Sequence, residues 1–193
     1  MQSIAISMLT ICGIEELPSH NKRQVTHVLS ILDPGWPDIE AFTDFDTHER
    51  TTLHFDDIIE EIPGKIAPQR EDVEAILAFG MDLAASQTER TEGHLLVHCH
   101  MGVSRSTAAM LTLMAQASPS DDADELFERL REVRPQAWPN SRMVGFADEL
   151  LGRNGALTQA LARHYGRQLQ VQPKFTEWMT KLGRTRELEM ATR

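Results

Sequence analysis

Apolar and polar residues follow one another along this chain in two rhythms, one typical of buried strands and the other of amphipathic helices. Short apolar stretches rich in β-branched residues and bounded by turn residues predict strands. We assign four of them, at residues 4–12, 25–33, 51–55 and 94–99. The last, HLLVHC, is almost continuously apolar, as is typical of a strand in the middle of a sheet.

Longer stretches carry apolar residues three and four positions apart, the spacing of one helix face. Four such stretches lie at residues 69–86, 104–117, 118–134 and 140–151. We expect Ser118 and Pro119 to form the N-cap and first turn of the third helix, and Gly152 to end the fourth. Strands interleaved with helices predict an α/β fold. It would be a single domain whose central, mostly parallel or mixed sheet of four to five strands is flanked by helices.

Residues 154–193 differ in character from the rest of the chain. One helix is expected at 156–168, and the sequence after it is polar and mixed in charge. We therefore divide the chain into a main domain, residues 1–153, and a C-terminal extension, residues 154–193. Two alternatives stay open for the end of the extension: a segment that docks loosely or mediates self-association, or a tail exposed to solvent.

Composition narrows the classes of function. The chain has 193 residues and a formal net charge of −10, which disfavours a large nucleic-acid footprint. No apolar run reaches about 18 residues, so we expect no membrane span. Without an export signal we expect a cytoplasmic protein whose two thiols, Cys12 and Cys99, are reduced. The sequence does not determine an oligomeric state.

The segment HLLVHCHMGVSRSTAAMLTLM, residues 94–114, carries the candidate chemistry. Five residues separate Cys99, at the end of the apolar strand, from Arg105, in the first turn of the next helix. A strand that turns into a helix through so few residues can direct its backbone N–H groups to one centre, which then binds a tetrahedral oxyanion. Gly102 permits the backbone angles this needs. The planar guanidinium of Arg105 can bind two oxygens of the anion.

The thiol of Cys99 would lie beneath that anion. It must be ionised to act as a nucleophile, and the helix N-terminus, several N–H groups and the nearby guanidinium would each favour the thiolate. A hydroxyl close to the sulfur, which we assign to Ser106, would also help. The segment therefore indicates covalent catalysis at a phosphorus atom.

Two other interpretations of the segment compete with this one. A free cysteine is commonly buried and inert, but an inert thiol would not need the glycine, the hydroxyls and the arginine. His94, His98, Cys99 and His100 could bind zinc, yet successive residues of a strand face opposite sides and no second ligand pair stands out. We expect neither a metal nor another cofactor. Cys12 is interpreted as a core residue, with a reversible disulfide to Cys99 as the alternative.

HCHMGVSRST resembles the H-C-x5-R-[ST] signature loop of the cysteine-based protein tyrosine phosphatases, and within them the dual-specificity branch. Met101 stands where alanine is common in that branch. The likeness extends to VTHVLSILD and to RPQAWPNSRMVGFADELL, so it covers roughly residues 4–151. It implies a phosphotyrosine protein phosphatase-like fold for residues 1–153. It also implies a phosphorylated protein or a small phosphomonoester as the substrate.

The resemblance implies roles for individual residues. Cys99 would attack phosphorus and become a phosphocysteine, and Ser106 would help the thiolate to leave. Arg105 and the backbone amides of the loop would hold the phosphoryl oxygens. The amides concerned are those of His100, Met101, Gly102, Val103, Ser104 and Arg105. His98 would support the loop and the thiolate from below. Independently of the resemblance, we interpret Asn140 as a residue that holds the loop after Pro135 and bonds to the backbone of the signature loop.

The general acid is a choice among three aspartates. The reaction needs a carboxylic acid to protonate the leaving oxygen. In relatives this acid follows the strand that precedes the helix leading to the cysteine strand, and a Phe-Asp-Asp sequence there uses its second aspartate. The resemblance thus favours Asp57, then Asp56, with an inserted loop at 60–69 lengthening the spacing to Cys99. Asp38, in a literal WPD tripeptide, is third, because a strand and a helix must still fit between it and the thiol.

The leading hypothesis is a phosphomonoesterase acting on protein phosphotyrosine. Two alternatives stay open. One is the same chemistry on phosphoserine, phosphothreonine or a non-protein phosphomonoester; the loop HMGVS has no lysine, which argues against acidic lipid headgroups. The other is a pseudophosphatase that binds phosphorylated partners without turnover. No nucleic-acid or membrane partner is expected.

Overall fold

The computed structural model describes residues 8–86 and 93–191. Within these ranges four strands form one parallel sheet in the order β1-β4-β2-β3. The strands are β1 (Met8–Cys12), β2 (His27–Leu32), β3 (Glu49–His54) and β4 (His94–His98). The predicted α/β fold with a central sheet is confirmed, and the sheet is entirely parallel in the described ranges. Residues 4–7 of the first predicted strand lie outside them.

Seven α-helices and two short 3₁₀ helices belong to the same described ranges. The α-helices are α1 (Arg70–Ala85), α2 (Arg105–Ala117), α3 (Ala123–Val133), α4 (Ser141–Leu150), α5 (Ala156–Val171), α6 (Lys174–Lys181) and α7 (Thr185–Met190). The 3₁₀ helices are η1 (Ile14–His20) and η2 (Glu40–Asp44). No helix in the part of the chain that the structure describes is long and apolar enough to cross a membrane.

Strand β4 is central because it pairs on both edges. Val97 pairs with Ile11 of β1 on one side and with Leu29 of β2 on the other. The α-helices pack against one face of the sheet in the larger core, and η1 and η2 cover the other face with Leu17 and Phe42. With both faces covered, every residue of β4 is buried, which explains its continuous apolar sequence.

Helix α3 begins later than predicted. Its N-cap is Asp122, whose carboxylate accepts a hydrogen bond from the N–H of Asp124 at 2.8 Å. Ser118 instead lies at the end of α2, where its N–H donates to the carbonyl of Met114 at 3.0 Å. The prediction that Ser118 and Pro119 start α3 is therefore wrong. Both Ser118 and Asp122 are good N-cap residues, and the length of the turn between the packed helices selects the second.

The C-terminal extension is helical and firmly packed up to residue 191. Trp138 stacks on Tyr165 of α5 and on Phe175 of α6, with ring centroids 4.3 Å and 4.9 Å apart. Phe175 and Met179 are both buried in the larger core. Neither a solvent-exposed tail nor a loosely docked segment describes these residues, because their apolar side chains complete the core around Trp138.

Candidate active site

The carboxyl ends of the parallel strands meet at one edge of the sheet, as parallel pairing requires. Asp33 follows β2, Phe55 follows β3 by one residue, and Cys99 follows β4. A cleft of about 400 Å³ opens at this edge. Residues that line it include Cys99, Arg105, Asp33, Asp56, Asp57, Lys65, Trp178, Met179, Leu182 and Arg184. The cleft therefore combines the predicted loop with residues of the C-terminal extension.

The turn between β4 and α2, residues 99–105, directs its carbonyl oxygens outward. Each carbonyl from His100 to Ser104 accepts a hydrogen bond from outside the turn. The donors are Ile14 N to His100 (3.0 Å), Arg134 Nη2 to Met101 (3.2 Å), Arg134 Nε to Gly102 (2.9 Å), Trp138 N to Val103 (2.8 Å) and Ala108 N to Ser104 (3.0 Å). Because C=O and N–H point in opposite directions in a trans peptide, the N–H groups of 101–105 face the inside of the turn. That geometry forms an oxyanion cup.

Gly102 is required by both conformation and space. Its φ of +67° lies in the left-handed region that side chains disfavour. A Cβ atom here would lie 2.3 Å from the backbone carbonyl carbon of Cys12 and 2.6 Å from the nitrogen of Gly13. The turn thus presses its backbone directly against the end of β1, which sets the depth of the cup.

The side chains of His100, Met101 and Val103 differ in their surroundings. The imidazole of His100 packs edge-on against Trp36, with centroids 4.2 Å apart, and accepts a hydrogen bond from the N–H of Asp33 at 3.2 Å. Met101 is 62% exposed at the rim, whereas Val103 is buried. The arrangement is compatible with the expectation that the backbone amides of this turn, rather than its side chains, contact a bound anion.

Cys99 lies at the base of the cup with only 1% of its surface exposed. Its Sγ is 3.2 Å from the Oγ of Ser106, the first-turn residue of α2 that the sequence analysis assigns to this contact. A hydroxyl at this distance can donate a hydrogen bond to a thiolate. The thiol and the hydroxyl are thus placed together by one strand-to-helix turn.

Two buried groups below the turn are held neutral. The Nε2 of His98 is 2.7 Å from the Oγ of Ser30, and burial lowers the pKa of His98 to about 4. Burial raises the pKa of the Cys12 thiol to about 12, so it stays protonated at neutral pH. Both thiols are free. His98 therefore supports the end of β4 without a charge, and Cys12 behaves as a core residue.

Arg105 is oriented by a residue that sequence reasoning missed. Its Nη1 donates to the carboxylate of Asp33 at 2.7 Å and to the carbonyl of Phe55 at 2.5 Å. The guanidinium is 3% exposed, and its Nε has no hydrogen-bond partner among the described residues. An unpaired buried N–H is costly, and a bound oxyanion would satisfy it. In the sequence, Asp33 looks like an ordinary turn residue. The signal that could identify it as a site residue is its position directly after β2.

Asp57 is the aspartate that faces the signature loop. Its Oδ1 accepts hydrogen bonds from the Oγ of Ser104 at 2.7 Å and from the Nδ2 of Asn140 at 3.0 Å. The Nη1 of Arg184 lies 3.4 Å from the same oxygen. These three groups all bind Oδ1, so Oδ2 is the oxygen left to carry a proton.

The other two candidate aspartates are engaged elsewhere. Asp56 uses one oxygen to bind the Nζ of Lys65 at 2.9 Å and the other to bind the N–H of Ile66 at 2.8 Å. It thereby secures the inserted loop at 60–69, although it also lines the cleft. Asp38 is 88% exposed and pairs with Arg50 at 2.7 Å. Of the three, Asp57 has the geometry that suits a general acid.

The protonation of Asp57 reflects two opposing effects. Its burial favours the neutral carboxylic acid, but the positive charges of Arg184 and Arg105 and the hydrogen bonds from Ser104 and Asn140 outweigh that burial. The pKa of Asp57 is therefore held below its usual value. A bound phosphate dianion would partly cancel the two guanidinium charges and raise this pKa again.

Asn140 connects Asp57 to helix α4. It is the N-cap of α4, where its side-chain oxygen accepts from the N–H of Met143 at 3.2 Å. The other end of the amide donates to Asp57 and, at 3.2 Å, to the carbonyl of Ile58. The predicted contact with the loop backbone is made by the N–H of Asn140, which lies 3.4 Å from the carbonyl of Ser104. The side chain therefore positions the aspartate rather than the loop.

Solved structures share this fold. The human tyrosine phosphatase-like serine/threonine/tyrosine-interacting protein aligns with a TM-score of 0.57 and 18% identity, covering 78% of this chain and 95% of that one. The Cydia pomonella PTP-2 phosphatase gives 0.55 and 16%, covering 77% and 90%. Human DUSP28 gives 0.53 and 15%, covering 75% and 94%. At these identities the likeness establishes the fold.

The sequence comparison agrees with the structural one. The human protein phosphatase Slingshot homolog 3 is 29% identical over 160 residues, which cover 81% of this chain and 20% of that protein. The chain thus spans about a fifth of the length of the relative it matches. No protein-family model matches the chain. The likeness to this relative agrees with the resemblance of the signature loop to the cysteine-based protein tyrosine phosphatases.

Proposed function

We propose that this chain is a cysteine-dependent phosphomonoesterase that hydrolyses protein phosphotyrosine through a phosphocysteine intermediate. The observation that carries the proposal is the cup between β4 and α2. Its carbonyls from His100 to Ser104 are bonded outward and the amides that follow them face inward. Cys99 lines the same cleft as Arg105, whose buried Nε is unsatisfied. Such a site stabilises a phosphoryl group and holds it directly over a nucleophile.

The first step transfers the phosphoryl group to sulfur. The thiolate of Cys99 attacks phosphorus, an S–P bond forms, and the P–O bond to the tyrosine oxygen breaks. Asp57 gives its proton to the departing oxygen, which leaves as a neutral phenol. Arg105 and the amides of the turn hold the three remaining phosphoryl oxygens throughout.

The second step releases phosphate. Water attacks the phosphocysteine and transfers a proton to the carboxylate of Asp57, which acts now as a base. The S–P bond breaks, inorganic phosphate leaves, and the sulfur departs as a thiolate that accepts a hydrogen bond from Ser106, 3.2 Å away. His98 remains neutral beneath the turn and takes no proton in either step.

The walls of the cleft favour tyrosine over serine or threonine. Helix α6 and the residue after it contribute Trp178, Met179 and Leu182 beside the cup. These apolar side chains extend the wall above Cys99 and can flank an aromatic ring. Phosphotyrosine is long enough to reach the sulfur past such a wall, whereas the short side chain of phosphoserine would have to bring its own backbone into the cleft.

Three measurements test the proposal. Wild type should hydrolyse p-nitrophenyl phosphate, Cys99→Ser should lose this activity by at least about 10⁴-fold, and Cys12→Ala should keep it as the matched thiol control. Acid quenching during turnover should trap a phosphate group on Cys99 that mass spectrometry can locate. Peptides carrying phosphotyrosine should give a higher kcat/KM than matched phosphoserine and phosphothreonine peptides.

The outcomes separate the alternatives. Binding of phosphopeptides by wild type without any turnover would support a pseudophosphatase and overturn the proposed hydrolysis. A higher kcat/KM for phosphoserine peptides would keep the mechanism and overturn the substrate class. Full activity in Cys99→Ser would refute the mechanism itself.

A further inference from the structure

A second arginine reaches the cleft from the opposite end of the chain. Arg184 precedes α7 and is 2% exposed. Its Nη1 donates to the Oγ of Ser104 at 2.7 Å and lies 3.4 Å from Oδ1 of Asp57. One guanidinium group therefore contacts both the signature loop and the candidate general acid.

Arg184 is itself held from behind by a buried carboxylate. Its Nη2 donates at 2.8 Å to Glu187, which is fully buried in α7. Glu187 also accepts hydrogen bonds from three other groups. They are Trp138 Nε1 (2.7 Å), the N–H of Ser141 (2.8 Å) and the hydroxyl of Tyr165 (3.0 Å). The position of Arg184 is thus fixed by α4, α5 and α7 at once.

A buried ion pair of this kind is a poor device for stability alone. Removing two charges from water costs several kcal/mol per ion, and apolar residues of similar size often serve packing as well or better. Here Arg184 lines the cleft and Glu187 binds it from the other side. Buried charges with specific partners cluster at functional sites. The pair is placed to act on the cleft.

We propose that Arg184 is a positioning residue, which holds the carboxylate of Asp57 and the hydroxyl of Ser104 and makes the reaction depend on the docking of α6 and α7. This inference rests on the proposed hydrolysis. It assigns to the C-terminal extension a part of the catalytic site, outside roughly residues 4–151 in which the likeness to the family lies.

The charge around Asp57 explains how Arg184 would act. Charged and titratable groups act on Asp57 from several elements: Arg184 before α7, Arg105 and His100 at the turn into α2, and Tyr165 on α5. Asp56 is its neighbour in sequence and binds Lys65 and Ile66. Burial raises the pKa of Tyr165 well above its usual value, so its hydroxyl stays neutral. Arg184 and Arg105 are therefore the cations that oppose protonation of Asp57.

The test is the pH dependence of kcat/KM for phenyl phosphate, whose poor leaving group needs the acid. Replacing Arg184 with methionine removes a positive charge, so the protonated form of Asp57 persists to higher pH. We expect the basic limb of the profile to move up by about one pH unit. At the acidic optimum, kcat/KM should fall about tenfold or more because the carboxylate is no longer held in place. Arg184→Lys keeps the positive charge but loses the planar fork of the guanidinium. It should therefore show the fall in kcat/KM with a smaller shift of the basic limb.

Two controls keep the result interpretable. Arg186→Met removes an arginine two residues away whose side chain is 70% exposed, and its profile should match wild type. The double variant Arg184→Met with Glu187→Gln leaves no uncompensated buried carboxylate. It replaces the single variant in the pH measurement if Arg184→Met does not fold. It should show the same shift.

The two proposals fail in different ways. If wild type hydrolyses phenyl phosphate and the basic limb of folded Arg184→Met coincides with that of wild type, Arg184 does not position the acid and only this inference is overturned. If wild type shows no hydrolysis of any aryl phosphate, the proposed function fails first.

Discussion

The segment from β4 into α2 and the C-terminal segment from α6 to α7 each deliver an arginine to one cleft, and they do so by different means. In the first, five residues separate Cys99 from Arg105, so the local course of the backbone sets their distance. In the second, Arg184 approaches Asp57 across 127 residues of sequence. Its placement depends on packing around Trp138 rather than on local geometry.

The difference shows how the work of the site is divided. The contiguous segment carries the groups that would contact phosphorus and its oxygens, and short-range backbone geometry holds them in register. The remote segment carries a group that contacts those residues from behind. We therefore expect changes in the first segment to remove the reaction, and changes in the second to alter its rate, its pH dependence or the stability of the fold.

The largest effect is expected in the contiguous segment, from Arg105→Lys. Lysine keeps the charge but cannot bind Asp33 and two phosphoryl oxygens with one planar fork. We expect kcat/KM for p-nitrophenyl phosphate to fall by about 10³-fold, or about 4 kcal/mol of transition-state stabilisation. Steady-state kinetics at the pH optimum would measure the loss.

Arg163→Lys is the matched control for that substitution. Arg163 also binds a carboxylate through two nitrogens, to Asp124 at 2.9 Å and 2.7 Å, but this pair is exposed at the surface and does not line the cleft. Its variant should retain wild-type activity. A loss of less than tenfold in Arg105→Lys would mean that the fork is not essential, and the contrast between the two arginines would disappear.

The remote segment should respond most strongly in stability, through Phe175→Ala. Phe175 is fully buried and stacks on Trp138 at 4.9 Å and on Trp178 at 5.5 Å. Removing a buried ring of this size costs about 3–4 kcal/mol. Urea unfolding should still be a single transition, with a lower midpoint and an unchanged slope. Val171→Ala, at a position 65% exposed, should leave the midpoint in place.

A different unfolding result would change how the two segments compare. If Phe175→Ala unfolds in two transitions, the C-terminal helices form a separate unit, and their coupling to the cleft is weaker than the packing around Trp138 indicates.

The fold was largely predictable because its strands and main helices follow strong periodic patterns. Strand β4 and helix α2 have apolar sequences that fit only a central strand and a buried helix. The start of α3 was misplaced because Ser118 and Asp122 are equally good caps, and tertiary packing decides between them. For the end of the extension the sequence left a loosely docked segment and a solvent-exposed tail open. Its polar composition hid the few apolar residues, such as Phe175, that pack around Trp138.

From the spacing of residues alone, the site was predictable only where its residues are contiguous, and the choice of Asp57 came from the family resemblance. Cys99, Arg105 and Ser106 form one motif, so their proximity follows from the sequence. Asp33 binds Arg105 across 72 residues of sequence, and Arg134 binds the turn across 32 residues. No local sequence pattern around Asp33 or Arg134 indicates which residue it binds. Arg184 is still more distant, because its position depends on three helices that pack only in the folded chain.

A moderate loss of activity is expected for Asp57→Asn, at the place where the two segments meet. Removing a general acid costs about 10²-fold, or about 2.7 kcal/mol, on phenyl phosphate. The acid acts only when protonated, so wild-type kcat/KM should fall as pH rises above the lowered pKa of Asp57. Asp57→Asn should lack this basic limb. Its loss should be smaller on p-nitrophenyl phosphate, whose leaving group needs less help from a proton.

Asp56→Asn and Asp38→Asn are the matched controls for that experiment. Both should keep the basic limb, because the first binds Lys65 and Ile66 and the second pairs with Arg50 at the surface. Loss of the limb in Asp38→Asn alone would show that the exposed loop supplies the acid, and Asp57 would then be a structural contact between the loop and Arg184.

The smallest effect is expected at the back of the turn, where Glu16 holds Arg134. Two hydrogen bonds of 2.9 Å and 2.8 Å join them, and Arg134 in turn binds the carbonyls of Met101 and Gly102. The hydrogen bond with Arg134 holds the pKa of Glu16 below its usual value. Because 44% of the Glu16 side chain is exposed, solvent screens the pair, and Glu16→Gln should lower the free energy of unfolding by only about 0.5–1 kcal/mol at pH 7.

The pH dependence of that difference identifies its cause. A carboxylate whose pKa is lowered by folding stabilises the protein fully above its unfolded pKa of about 4.3, and this contribution is lost as pH falls through the folded pKa. Urea unfolding of wild type and Glu16→Gln should therefore differ at pH 7 and converge in acid. A difference that stays constant down to pH 3 would show that the ion pair with Arg134 contributes no stability and that shape alone holds the turn. The conformation of the cup would then depend on the contiguous segment alone, without help from the ion pair between Glu16 and Arg134.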